Sequence, residues 1–414
     1  IFMAAIANFV FPEDPFRLVG IPMSLPGTNG FLLGSDTLGR DVAAGIAHGA
    51  KTSIMIGLIA TLTSVFIGVI FGAFAGYYGN TTATNGMRGQ GIWKSTDRGL
   101  SFNRLPSTYV ENIAEDTALV NAAFSTVSEL AADPTDANKI YASTTRGLLV
   151  SYDAGDSWSN PIFISETSQI NVSDLSKDVA VASDGTVIAA VGNKGYISAD
   201  GSSRSFTKIS GNTDSLLLPN SGISRMEFAF APSDPNFIYC LAAQPGGTLE
   251  NIYQSTDKGI SWNVVGQGGY AEFQPLGDQG EYDAVIAVYP DDKNSVLVGG
   301  QGNVYKGTSQ EGTDEFYWEA KTEWYFETSS LLYVHADQHA IEFHPNYNGT
   351  DNKIVYISSD GGVHRSDYAG EYWQTMNKNY NTVQFYAVGI SGDGRVIGGT
   401  QDNGTQYIDF LGNT

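Results

Sequence analysis

The chain has 414 residues, of which 42% are hydrophobic, 12% aromatic and only 16% charged, with 48 glycines and a formal net charge of −22. Such acidity excludes a nucleic-acid partner, which needs basic patches, and speaks against docking on anionic lipid through a charged face. The single cysteine, Cys240, excludes an internal disulfide framework.

In chain order, residues 1–80 stand apart. The chain opens at Ile1 with no initiator Met and no visible signal peptide, so it reads as an excerpt of a longer frame. Residues 52–79 carry no charge and are enough to cross a bilayer as a helix; a buried core helix is the alternative. Gly57, Ala60, Ser64, Gly68 and Gly72 would give that helix a close-packing face. The stretch Leu33-Gly-Ser-Asp36-Thr-Leu-Gly39-Arg40-Asp41-Val, then His48-Gly-Ala-Lys-Thr-Ser-Ile, then Ala75-Gly-Tyr-Tyr-Gly79, resembles the inner-membrane permeases of dipeptide and oligopeptide ABC importers. The resemblance implies a membrane fragment with one full span. It stops where that family continues with further spans and its ATPase-binding loop, so transport by the whole chain is not expected.

After Asn80 the composition changes abruptly. The first 80 residues carry a net charge of −1 and the rest therefore −21, with no ordinary linker at the join. The chain reads as an unnatural fusion or as a protein tethered to the inner membrane through residues 52–79.

From residue 84 to 414 one short pattern recurs. Ile252-Tyr-Gln-Ser-Thr-Asp257-Lys-Gly259-Ile-Ser-Trp262 is copied at Asp97, Gly99 and Phe102 and again at Asp153, Gly155 and Trp158. Looser copies run from Asp200 to Phe206 and from Asp367 through Gly370 to Trp373. An Asp in a tight turn accepts bonds from the N–H groups after it, a Gly takes the positive-φ corner, and an aromatic starts the return strand beneath. Each copy follows a strand with a Pro/Asp/Asn turn, such as Phe230-Ala-Pro232-Ser-Asp-Pro-Asn-Phe-Ile-Tyr239. Intervals between successive aspartates are 56, 47 and 57 residues (97 to 153, 153 to 200, 200 to 257). Four short strands per unit of about 50 residues predict an all-β propeller of six to seven blades, with a flat solenoid as the alternative.

These turns, with Glu281-Tyr-Asp-Ala-Val, His335-Ala-Asp337-Gln-His339 and Gly398-Gly-Thr-Gln-Asp402-Asn-Gly, resemble the Asp-box (BNR) propellers: sialidases, sortilin-type receptors, xyloglucanases and the secreted surface proteins of Bacteroidota. The last group is the nearest likeness. It implies an extracellular or cell-surface propeller.

The turn residues are expected to be structural. His335, Asp337 and His339 alternate, so on a strand they would share one face, a half-site for a divalent ion or a set of strand-end hydrogen bonds. No other cofactor is expected. Asp283, Asp337 and Asp402 are the carboxylates a glycosidase would need. Trp318, Trp324 and Tyr325 lie in an insertion-like stretch where rings could stack on sugar or clamp a peptide. The expected function is non-catalytic recognition of a polysaccharide or a cell-surface protein. The alternative is a glycoside hydrolase of the xyloglucanase or sialidase-like kind. Few arginines and a misplaced Arg104-Leu-Pro motif argue against a sialidase.

Overall fold

Runs such as Val187–Val191 and Val296–Val298 are apolar at every position, so their strands must be covered on both faces. The fold provides that cover by standing sheets beside one another. The computed structural model describes residues 7–12, 14–28, 30–50, 89, 91–97, 100–112, 117–163, 168–211, 217–310, 315–377, 385–390, 396–400 and 405–408. The chain divides into two compact units, Ile1–Thr81 and Thr82–Thr414.

In the first unit a short helix spans Ala7–Val10. The Asp36 carboxylate accepts the N–H groups of Leu38 and Arg40 at 2.8 and 2.9 Å and the Arg40 Nε at 2.6 Å. Asp41 caps helical residues 42–50 by accepting the Ala43 N–H at 2.8 Å. No described helix is long and apolar enough to cross a membrane, and the expected span at 52–79 lies outside the described residues.

The second unit is all β. It opens with two ribbons, β1 (Trp93–Lys94) with β2 (Asn103–Arg104) and β3 (Tyr109–Asn112) with β4 (Thr117–Val120). Five antiparallel blades follow. The first holds β5 (Val127–Asp133), β6 (Asp136–Thr144) and β7 (Gly147–Ser151), with its fourth strand reduced to a bridge between Val150 and Ser159. The second is β8 (Ser176–Val181), β9 (Val187–Val191), β10 (Lys194–Ser198) and β11 (Thr207–Lys208). The third is β12 (Arg225–Ala231), β13 (Asp234–Ala243), β14 (Leu249–Ser255) and β15 (Asn263–Gln267). The fourth is β16 (Val285–Tyr289), β17 (Asp292–Gly299), β18 (Tyr305–Ser309) and β19 (Phe316–Ala320). The fifth is β20 (Gln338–Phe343), β21 (Val355–Ser359), β22 (Gly362–Ser366) and β23 (Gln374–Thr375). A three-stranded sheet, β24 (Phe385–Ile390), β25 (Val396–Thr400) and β26 (Thr405–Ile408), comes last.

Among the described residues the blade count is five, against the six to seven expected from turn spacing. There the Asp97 copy closes a two-stranded ribbon, and the last sheet has three strands.

The core lies between blades. Tyr141 and Leu148 of the first blade pack on Val179 and Val187 of the second. Ile188 and Ala190 meet Met226, Phe228 and Cys240, then Tyr239 and Leu241 meet Ile286, Val296 and Val298. Leu297 meets Ile341, Ile357 and Trp373. Polar clasps cross the same seams: Tyr239 Oη donates to Lys293 O at 2.8 Å, and Lys293 Nζ pairs with Asp234 at 2.7 Å.

The aspartate turns join third and fourth strands. Ser255 Oγ accepts the Gly259 N–H (2.8 Å) and donates to Asp257 (2.8 Å), which accepts the Ser261 N–H (2.8 Å) and hydroxyl (2.6 Å). Two successive residues, Lys258 at φ +59° and Gly259 at +82°, turn the corner, one more than expected; Ala154 and Gly155 repeat this at +58° and +101°. Trp262 and Trp373 are buried behind their turns, Trp158 is half-buried, and Phe102 stays 57% exposed, contrary to expectation. Gly99 lies outside the described residues.

The fifth-blade copy is read one residue off by the sequence. Ser366 Oγ accepts the N–H groups of Tyr368 (3.1 Å) and Gly370 (3.0 Å), so Ser366 plays the part of Ser255 and Tyr368 stands in the aspartate's place. Asp367 instead pairs with Arg365 at 2.6 Å. Tyr368 and Tyr372 meet edge-to-face at 5.8 Å where the Asp–Ser bonds would be.

Candidate functional site

The first strands of all five blades, β5, β8, β12, β16 and β20, border one axial channel of about 640 Å³. Four of them bring a carboxylate to it: Glu129, Asp178, Glu227 and Glu342, accompanied by Lys177 and Arg225. Arg225 pairs with Glu227 and donates to Tyr282 O at 2.8 Å, while Asp178 accepts the Phe228 N–H at 2.7 Å. Burial first, then the charges of Glu227 and Glu342, push Glu129 up to about 7. Burial, followed by Glu227, raises Asp178 well above the carboxylate range. The channel is therefore partly protonated at neutral pH. Sequence reasoning missed this cluster, whose only signal is an acid within the first strand of each of four blades: Glu129, Asp178, Glu227 and Glu342.

A second hollow, about 590 Å³, opens beside the channel between the fourth and fifth blades. It is lined by Trp324 and Tyr333, by Gln274, Gln279 and Gln301, and by His335 and Asp337. Its walls contain no Lys or Arg. The Gln274 Oε1 is buried and has no donor among the described residues. Gln279 Nε2 donates to Asp337 Oδ1 at 3.2 Å. Asp337 itself sits at φ +59°, a strained corner for a residue with a side chain.

Beneath Asp337 lies Asp283, fully buried, with no hydrogen-bond donor to either carboxyl oxygen among the described residues. Burial first, then the neighbouring Asp337 carboxylate, pushes Asp283 up to about 9, so Asp283 holds its proton at neutral pH. Asp402 lies outside the described residues.

The strand face expected to carry a metal half-site does not form. β20 begins only at Gln338, so residues 335–337 are a turn and alternation fails. His335 tucks under Gly361, where a Cβ would come within 2.2 Å of its ring, and its Nδ1 lies 2.9 Å from Ala336 O. His339 Nε2 lies 2.8 Å from Asp360, which also accepts the Tyr282 hydroxyl at 3.1 Å. Among the described residues no three His, Cys, Asp or Glu are grouped to hold a metal. Of the aromatics, Trp318 is packing: its Nε1 donates to Val265 O at 2.9 Å and its ring lies against Phe273. Trp324 and Tyr325 are exposed, at 47% and 64%.

Fold and site define an all-β propeller with an acidic axial channel and an aromatic, amide-lined cleft at its mouth. No protein-family profile matches the sequence. Over 86 residues, 19% of the chain, it is 41% identical to the di/tripeptide transport permease DppC of Pseudomonas aeruginosa, covering 28% of that protein. Over 77 residues it is 39% identical to the dipeptide permease DppC of Bacillus subtilis, covering 24% of it. The chain thus spans about a quarter of the length of these relatives. Solved structures resembling it include an ancestral GH74 enzyme (TM-score 0.41, 18% identity, 77% of this chain and 50% of that one). Others are an auxiliary nutrient binding protein from Bacteroides thetaiotaomicron (0.40, 12%, 72% and 64%) and YCF48 from Cyanidioschyzon merolae (0.38, 16%, 75% and 88%). At these scores none bears on activity.

Proposed function

We propose that the propeller is a non-catalytic, secreted or surface-displayed module that binds glycan in the cleft beside the channel. The observation that carries this is the lining: the exposed Trp324 ring and the half-buried Tyr333 ring beside three glutamines, one with an unsatisfied buried acceptor. Ring faces stack on sugar C–H groups, and amides bond hydroxyls. Trp324→Ala should weaken binding of a matched oligosaccharide about tenfold, the worth of one stacked ring, without moving the melting temperature. A glycan panel that is silent for the intact protein while cell-surface proteins bind would transfer the cleft to a protein ligand.

The hydrolase reading is favoured by one feature, a protonated Asp283 beside the Asp337 carboxylate. Against it, Asp283 has no exposed surface, so no glycosidic oxygen reaches it. Release of reducing sugar from xyloglucan that disappears in Asp337→Asn would reverse the assignment. For residues 1–80 we infer a fragment of a peptide-importer permease, supported by the DppC likeness. Reads of the parent DNA across codons 75–90 test whether it is naturally joined to the propeller.

A further inference from the structure

The outer flank of the second blade carries a cleft of about 640 Å³, inside the roughly 300–1,000 Å³ range of small-molecule sites. In a chain of net charge −22 the described residues of its walls hold three cations, Lys194, Arg204 and Lys208, and one carboxylate, Asp174.

Register brings these groups together. Tyr196 of β10 is paired directly with Lys208 of β11, and Lys194 lies two residues before Tyr196 on the same strand. All three side chains therefore stand on one face. Neither lysine has an ion-pair partner among the described residues. Two ammonium groups on a cross-strand diagonal repel one another, and an arriving anion removes that penalty. Arg204 enters from the turn between the two strands, at φ +72°. Its guanidinium lies 3.8 Å from the Phe163 ring centre and donates to Ser168 O at 2.8 Å, which holds the planar cation against the wall. Tyr196 and Phe206 add ring surface to the same hollow.

We propose that this flank cleft binds a carboxylated sugar, a uronic acid unit of an acidic polysaccharide. Lys194, Lys208 and Arg204 take the carboxylate, and the aromatic walls take the sugar ring. The site is independent of the cleft at the channel mouth, which has no cation in its walls.

The test is calorimetric titration of the full chain with trigalacturonate, with cellotriose as the neutral match. Trigalacturonate should bind, several-fold more weakly at physiological than at low ionic strength. The double variant Lys194→Gln/Lys208→Gln should lose at least tenfold in affinity for it. These lysines are at the surface, so the double variant keeps its fold, checked by an unchanged melting curve. Absence of trigalacturonate binding, wild-type affinity for it in the double variant, or an equal loss of cellotriose affinity in that variant would each overturn the proposal. Displacement by inorganic phosphate at equal concentration would also overturn it, because charge alone would then explain the site.

Discussion

The outer corners of the blades and the loops around the axis follow opposite rules. At the corners, the turns around Asp153 and Asp257 make the same four bonds at the same lengths, 2.8, 2.8, 2.8 and 2.6 Å, in different blades. Around the axis the pattern is broken: four blades bring a carboxylate, whereas the fourth brings Tyr282, Ala284, Val285 and Ile286 to the channel and holds a buried, unsatisfied Asp283, and the fifth opens on a strained Asp337. A bond set copied from sheet to sheet serves what every sheet needs, the reversal of its chain. Strain and unsatisfied polar atoms that occur once serve something outside the fold.

Substitutions can break that contrast. Trp262→Ala should cost most, about 3–5 kcal/mol, because it empties a buried seam between blades; urea unfolding measures it. Asp283→Asn should act in the other direction. In the unfolded chain this carboxyl loses its proton near 3.8, but in the fold it keeps it to about 9. Stability must therefore fall as pH rises between those two values and stay flat outside them. Replacing the acid by a neutral amide removes the loss, a gain on the order of 6 kcal/mol at pH 8 and under about 1 kcal/mol at pH 4. A gain of equal size at both pH values would show that Asp283 is not protonated. Asp257→Ala should cost about 1–2 kcal/mol through its lost turn bonds, whereas Asp367→Ala should stay within about 0.5 kcal/mol, an exposed pair with Arg365 being all it loses. Equal costs for the two would restore Asp367 to the turn.

The last comparison shows what the sequence could carry. Turns with Ser two before Asp and Gly two after were legible because each residue makes a bond that its neighbour requires. The fifth-blade copy misled because Ser366-Asp367 mimics the motif while the distance from Ser366 to Gly370 sets the true register. The fourth blade, lacking such a turn, could be found only by its strands. At His335-x-Asp337-x-His339, alternation holds only on a strand, and the positive φ at Asp337 prevents one. The channel acids were invisible because they come from four distant strands and meet only when the sheets gather. The flank cations were unreadable for a similar reason, since pairing of β10 with β11 decides which face they share.

The fourth strands also bear on how such a protein survives at high concentration. β11 and β23 are two residues long, and both residues of each are exposed. A rim strand offers its open backbone groups as a template to any passing chain. Here that template is too short to recruit one. The second and fifth blades thereby resist pairing edge to edge with another copy.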